Sequence, residues 1–382
     1  MDPRLVDVTA EGRTALVDQA HLNDGLRDDA LLRVRNLTVS FRRDSGSIQA
    51  VAGISFDVAR GETLGLVGES GCGKTTTGRA ILRLLPPGNS VMTGTVEYAG
   101  EDLATLSNAR MRMVRRRLQV IFQDPLSSFN PRRKVWDIVA EGLAIQGINK
   151  KESAARVDAA LADVGLSRSM VEGRRPHQFS GGQCQRIAIA RALALNPDLI
   201  VCDEPVASLD VSVQAQVINL LQEIKEKRNL ALIFISHDLA VVRNVSDRVA
   251  VMYMGKVVEL GRADHVYSWP AHPYTRTLLE AVPVPDPSVK LSPRSIGGER
   301  PSQSKPPSGC RFRTRCARAQ QICADAEPLL RRMPEGQFAA CHFPHDEPAP
   351  GFLGAAIRDA TRGALAPAPG LVALVNPLSR PY

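Results

Sequence analysis

The chain has 382 residues, 44% of them hydrophobic, which is enough for two or three domains around a sizeable core. Aromatic residues make up only 4%, a poor supply for stacking on bases, and no nucleic-acid-binding motif stands out, so the net charge of +8 does not by itself choose nucleic acid over an anionic membrane surface. No charged, apolar and small signal pattern opens the chain, and no uninterrupted apolar stretch reaches the ~20 residues of a spanning helix; the chain is expected to stay in the cytoplasm, where it could still sit on a membrane protein.

Residues 1–30 carry no pattern and read as a loose leader. LLRVRNLTVSF reads as a strand, and ISFDVARGETLGLVG supplies two more around a turn at Arg60 and Gly61. TTTGRAILRLL is expected to be helical until Pro86 and Pro87 stop it. GTVEYAG is again a strand, and RMVRRRLQVIFQD ends in a short buried one. Residues 125–178 read mainly as helix, with a clear Ala, Val and Leu repeat in ESAARVDAALADVGL. Beyond them the helix GGQCQRIAIARALAL, the buried strand LIVCD, the helix VQAQVINLLQEIKEK, the buried strand LALIFISHD and a hairpin in RVAVMYMGKVVELG follow in turn. The alternation predicts a mostly parallel sheet covered by helices. From about residue 283 Pro, Ser and Gly dominate and predict an extended connector; a four-cysteine block follows, and the Ala-, Pro- and Gly-rich tail is expected to be poorly ordered.

Gly68, Gly73, Lys74 and Thr75 form the spacing G-x4-G-K-T between a strand and a helix. An ordinary glycine-rich turn with a surface lysine is the bland reading, and the strand and helix flanks oppose it. Small residues let backbone N–H groups turn inward around phosphate, and the helix N-terminus adds a favourable field. The span Gly68, Glu69, Ser70, Gly71, Cys72, Gly73, Lys74, Thr75 and Thr76 is therefore expected to bind a nucleotide, with Lys74 at the β- and γ-phosphates and Thr75 on Mg²⁺. The Cys72 thiol is given no chemistry of its own.

Leu199 to Cys202 bring the chain out of the core, so Asp203 arrives at the carboxyl end of a strand, where ligands of open α/β sheets collect. Asp203 is expected to hold Mg²⁺ directly or through water. The adjacent Glu204 is expected to polarise an attacking water. An acid pair alone would more often be a solvated strand end; after a phosphate loop the catalytic reading prevails. His237 follows the next buried strand and is expected near the γ-phosphate or that water, while Gln123, after QVIF, would bind Mg²⁺ or water.

These residues carry a family resemblance. FSGGQCQRIAIARAL resembles the signature sequence of ABC transporter ATPases, and the phosphate loop, Gln123, LIVCDEP, ASLD and ISHD match in order over roughly 31–270. The resemblance implies an α/β fold: a P-loop NTPase core of ABC type, a helical subdomain at 125–178 and a small cysteine-containing C-terminal domain over 271–345, ahead of a tail at 346–382. It implies a head-to-tail dimer in which ATP sits between one chain's phosphate loop and Ser180, Gly181, Gly182 and Gln183 of the other, with Ser208 and Asp210 joining the sites. Phe41 looks like the adenine-stacking aromatic. Cys184 stands where the family often has a charged or polar residue; it is read as an inert buried thiol or an oxidation-sensitive one.

DPLSSFNPRRKVWDIVAEGL and HPYTRTLLEAVPVPDP resemble the oligopeptide and dipeptide importer ATPases. That subgroup implies two transmembrane permease subunits, a second ATPase subunit, an extracytoplasmic solute-binding protein and a place on the cytoplasmic face of the membrane, with no nucleic-acid partner. A soluble ABC-type ATPase acting on nucleic acid or the ribosome is the rival, opposed by the lack of a long coiled-coil insertion and of a tandem cassette. A non-hydrolysing regulatory cassette is the other, opposed by Glu204 and His237.

Cys310, Cys316, Cys323 and Cys341 are spaced x5, x6 and x17, unlike the C-x2-C pairs of many zinc sites. Four thiolates suit either Zn²⁺ or a [4Fe–4S] cluster, and unligated thiols are the third reading. The importer resemblance favours the cluster, which would staple a block with little core of its own. His342 and His345 are alternate ligands or ordinary exposed histidines.

Overall fold

Residues 27, 29–43, 46–281, 299 and 301–348 are described by the computed structural model. Most of the expected leader, most of the connector after 283 and nearly all of the tail lie outside the described residues.

In chain order the first elements are β1 (Leu32–Arg43), β2 (Gly46–Val58), β3 (Thr63–Val67), α1 (Lys74–Ile81), β4 (Ser90–Tyr98) and β5 (Glu101–Asp102). Next come α2 (Asn108–Arg117), β6 (Leu118–Ile121), α3 (Pro125–Ser128), α4 (Val135–Ile145), α5 (Lys150–Asp163), α6 (Arg168–Val171) and α7 (Gly181–Leu193). Then follow β7 (Leu199–Asp203), α8 (Val211–Arg228), β8 (Ala231–Ile235), α9 (Leu239–Val245), β9 (Arg248–Tyr253) and β10 (Lys256–Arg262). The last are α10 (Ala263–Ser268), α11 (Pro273–Glu280), α12 (Ile322–Asp325), β11 (Arg331–Arg332) and β12 (Phe338–Ala339).

The near-continuous apolar runs become strands buried on both faces. In β7, Ile200 and Cys202 face one core while Leu199 and Val201 face the other; β8 repeats this with Leu232 and Phe234 against Ala231, Ile233 and Ile235. One core lies under α4, α5, α7 and α8, and the second is shared with β1, β2 and β4. Because successive strand side chains point to opposite faces, only apolar residues at every position satisfy both.

The main sheet runs β11-β12-β10-β9-β3-β8-β7-β6, with β6 through β9 parallel to β3 or to each other and β9 to β12 antiparallel. A separate antiparallel sheet, β2-β1-β4-β5, was not anticipated by the reading of one mostly parallel sheet. Its strands are sequence neighbours or pair over long range, and pairing partners are not encoded in strand propensity.

Helix α1 stops at Ile81, not at Pro86. Arg83 takes φ 51°, and the Leu84 N–H returns to the Arg79 carbonyl at 2.8 Å. The Arg83 guanidinium donates to the carbonyls of Leu103 and Leu106 at 3.0 and 2.7 Å, so a tertiary tie ends the helix before proline does. The four-cysteine block is also less separate than expected. Its β12 pairs with β10, and its Phe312 enters the main core, so the described C-terminal residues share the body's core. Among the described residues no helix is long and apolar enough to cross a membrane.

Candidate functional site

The phosphate loop connects β3 to α1 beneath the hairpin connection of β9 and β10. Gly73 stands at φ 109°, a conformation only glycine adopts freely, and a Cβ there would lie 2.4 Å from the Ala50 carbonyl oxygen. The loop must therefore press against β2. Lys74 is buried, and its Nζ donates to the carbonyls of Gly68 and Glu69 at 2.7 and 3.2 Å, which places the ammonium at the centre of the loop. Cys72 is buried, and its carbonyl accepts the Gly255 N–H at 2.8 Å.

Parallel pairing of β3, β8 and β7 carries their carboxyl ends to this loop. Thr75 Oγ1 donates to Asp203 Oδ1 at 2.8 Å. Burial pushes the Asp203 carboxyl up from its ordinary range; the Thr75 hydrogen bond, Arg79 and Lys74 oppose the shift, and Glu204 adds to it. Glu204 stands at φ 49° with its N–H donated to the Ile235 carbonyl at 3.0 Å. A left-handed glutamate costs about 1–3 kcal/mol, and at that backbone conformation the side chain leaves the strand's alternation. The carboxylate then lies between two neighbours. Gln123 Nε2 donates to Oε2 at 3.1 Å, and His237 Nδ1 stands 3.4 Å from Oε1.

A cavity of about 400 Å³ opens here, bounded by Phe41, Ser70, Gly71, Lys74, Gln123 and Glu204 among others. Gly73, Thr75, Thr76 and Gln303 also line it. Phe41 and the loop, far apart in sequence, thus share one cavity. Its polar walls and the hydroxyl, carboxylate and amide oxygens of Thr75, Asp203 and Gln123 suit a triphosphate with a hard divalent cation.

Ser180, Gly181, Gly182 and Gln183 do not line that cavity. Ser180 caps α7: its Oγ accepts the Gln183 N–H at 3.3 Å, and Gln183 Oε1 accepts the Ser180 N–H at 3.0 Å. Gly182 is small partly for a reason inside the chain, because a Cβ there would lie 2.5 Å from Val213 of α8. Asp210 is exposed at the start of α8 and its side chain makes no cap bond. Cys184 is buried; its thiol points at the carbonyls of Pro176 and Phe179 at 3.6 and 3.9 Å, and burial pushes it up, which favours the inert reading over the oxidation-sensitive one.

Cys310, Cys316, Cys323 and Cys341 line one small cavity of about 10 Å³, together with His272 and His342. Among the described residues, however, no three His, Cys, Asp or Glu side chains stand at metal-holding spacing. Burial raises the thiols of Cys310 and Cys316, and pushes Cys341 up to about 12; Cys323 adds to all three shifts. His345 does not line the cavity; it lies beside Arg276 and Arg318.

Sequence reasoning missed several neighbours of the site. Tyr274 accepts the Glu69 N–H at 2.9 Å, Arg315 pairs with the Glu69 carboxylate, and Gln303 donates to the Gly71 carbonyl. The quoted HPYTRTLLE held the signal for the first. His272 is buried, burial pushes its imidazole down to about 3, and its Nδ1 accepts the Tyr274 N–H at 3.0 Å, fixing the start of α11. No local pattern marks Gln303 or Arg315.

The family model "ABC transporter" matches residues 51–207, and "Oligopeptide/dipeptide transporter, C-terminal region" matches 258–323. A putative peptide import ATP-binding protein of Brucella ovis is 49% identical over 317 residues, covering 83% of this chain and 98% of the relative. The oligopeptide transport ATP-binding protein OppF of Escherichia coli is 48% identical over 321 residues, covering 81% and 93%. Among solved structures, a dimeric post-hydrolysis ATP-binding cassette bound to ADP and Pi is similar at 26% identity and a TM-score of 0.54, covering 61% of this chain and 98% of that one.

Proposed function

Because the chain belongs to the ABC transporter ATP-binding proteins, in the branch that includes oligopeptide-import subunits, we propose that it powers import of oligopeptides or dipeptides through a multisubunit membrane transporter. It is an ATPase subunit: it binds ATP with Mg²⁺ and couples hydrolysis to transport. The names of its relatives favour this over a soluble nucleic-acid or ribosome ATPase, and the presence of Glu204 and His237 opposes a non-hydrolysing cassette.

In this reading Lys74 and the loop N–H groups hold the triphosphate, and Phe41 stacks on adenine. Thr75, Asp203 and Gln123 would hold Mg²⁺, which supplies charge neutralisation between the phosphate oxygens. Glu204 orients the attacking water, and Gln123 and His237 fix the Glu204 carboxylate. Ser180 to Gln183 and Asp210 act on the nucleotide of a second ATPase subunit, identical or homologous, which explains why they lie outside their own chain's cavity. Two permease subunits and an extracytoplasmic solute-binding protein complete the assembly, with this chain peripheral on the cytoplasmic face. Exposed Leu126 and Ile145 on the helical stretch 125–178 offer apolar contact for the permeases.

The observation that carries the reading is the Glu204 carboxylate held by Gln123 and His237 at the rim of the phosphate-loop cavity. The test is purification of the intact membrane complex, identification of its subunits and measurement of peptide-stimulated ATP turnover. Glu204→Gln should lower turnover by about 10²-fold or more while MgATP binding changes by no more than about threefold. Native turnover in that variant would remove Glu204 from the reaction, and a complex without permeases would remove transport.

The four thiols share one cavity without standing at metal-holding spacing, so a [4Fe–4S] cluster as a structural brace, with Zn²⁺ as the alternative, rests on the importer resemblance and the cysteine set. Anaerobic full-length protein should carry stoichiometric iron and sulfide with visible absorption, lost on Cys310→Ser. Zinc without absorption favours the alternative, and neither metal leaves the thiols unligated.

A further inference from the structure

Glu69 is gripped from outside its own loop. Arg315 sends Nη1 to Oε2 at 3.1 Å and Nη2 to Oε1 at 3.2 Å, a forked pair. The Arg315 side chain is 7% exposed and that of Glu69 21%, so solvent screens the pair weakly. The Glu69 N–H is held by the Tyr274 hydroxyl, and its carbonyl accepts from Lys74 Nζ at 3.2 Å. Arg315 is itself fixed, with Nη1 3.4 Å from the Tyr253 hydroxyl. Phe312, three residues earlier, packs edge-on to Tyr253 at 5.2 Å and lies 5.3 Å from the Tyr274 ring.

Glu69 does not line the cavity, but a carboxylate in the loop that wraps a triphosphate still repels it through space. A cation beside the carboxylate offsets it. Lys74 donates to the loop carbonyls here and serves the triphosphate in the reading above, whereas Arg315 is matched to the carboxylate in both distance and fork geometry. Gln303, from the same C-terminal region, donates to the Gly71 carbonyl and lines the cavity, so that region touches the loop at two points.

We propose that Arg315 is a positioning residue for the ATPase reaction: it neutralises Glu69 and fixes the first turn of the phosphate loop, so that the C-terminal cysteine-bearing region sets the affinity of the loop for MgATP. The inference rests on the ATPase reading above. A bridge that served only to pin the C-terminal region would also weaken when Glu69 loses its charge, but it would leave MgATP binding unchanged, and this distinction decides the experiment.

MgATP binding is titrated on the full chain, and KM and kcat are measured in the assembled transporter, for the native chain, Arg315→Gln, Glu69→Gln and the double variant. Arg315→Gln should weaken binding and raise KM by about tenfold or more, with kcat within about twofold. Glu69→Gln should bind more tightly than native, and the double variant should return to within about threefold of native. Unchanged binding in Arg315→Gln overturns the proposal, as does a double variant as weak as the single one. If Arg315→Gln does not fold, Glu69→Gln decides: tighter binding supports the proposal, and equal or weaker binding overturns it. A native chain that fails to bind MgATP would overturn the ATPase reading itself, an outcome separate from every variant comparison.

Discussion

The Thr75 hydroxyl donates to Asp203 Oδ1 at 2.8 Å, a bond between residues 128 apart in sequence. It ties the first turn of α1 to the end of β7, and so fixes the geometry of a hydroxyl and a carboxylate that would share one cation. Thr75→Val keeps the shape and removes the donor. Mg²⁺ dependence of ATP turnover should shift about 10- to 100-fold toward higher concentration, and an unshifted titration would separate the pair from the metal.

Gly73 offers a backbone test. At φ 109°, with the Ala50 carbonyl 2.4 Å from any added Cβ, Gly73→Ala must move the loop or β2. Stability should fall by about 2 kcal/mol or more in urea unfolding, and MgATP binding should weaken in parallel. A variant of native stability and affinity would show that the loop relaxes freely.

Arg248 joins the two sheets. Its Nη1 and Nη2 each lie 3.2 Å from the Asp57 carboxylate oxygens, and Nη1 lies 3.3 Å from Glu62 Oε1. Asp57 is fully buried, so Arg248→Met strands a buried charge and should cost about 3–5 kcal/mol in denaturant unfolding. The Arg262–Asp264 pair is exposed on both sides, and Arg262→Ala should leave the unfolding midpoint where it was.

Glu259 predicts a pH dependence. Its carboxyl is fully buried and burial pushes it up to about 7, against the ordinary 4.5, although the Thr275 side chain, the N–H groups of Ala271 and His272 and the Gln337 side chain oppose the shift. Between those pH values the folded chain keeps a proton that the unfolded chain has lost. The stabilisation is therefore complete below about 4.5 and is lost as pH rises through about 7. Glu259→Gln cannot titrate. Measured by urea unfolding across that window, its stability relative to native should rise by about 3 kcal/mol. A constant difference would place the titration of Glu259 outside the window.

The sequence by itself determined the features that repeat locally. The spacing from Gly68 to Thr75, the acids at the end of an apolar run, the Ser180 cap and the five-residue strands are each set by neighbours within about a turn or a strand length. Tertiary structure decided what those pieces face. It set the separate antiparallel sheet, the early end of α1 at Arg83, and the strained φ of Glu204 that lays its carboxylate between Gln123 and His237. It also brought Arg315 to Glu69 across 246 residues. Local propensity carries no information on such pairings, because the free energy that selects them arises only when distant surfaces leave water together.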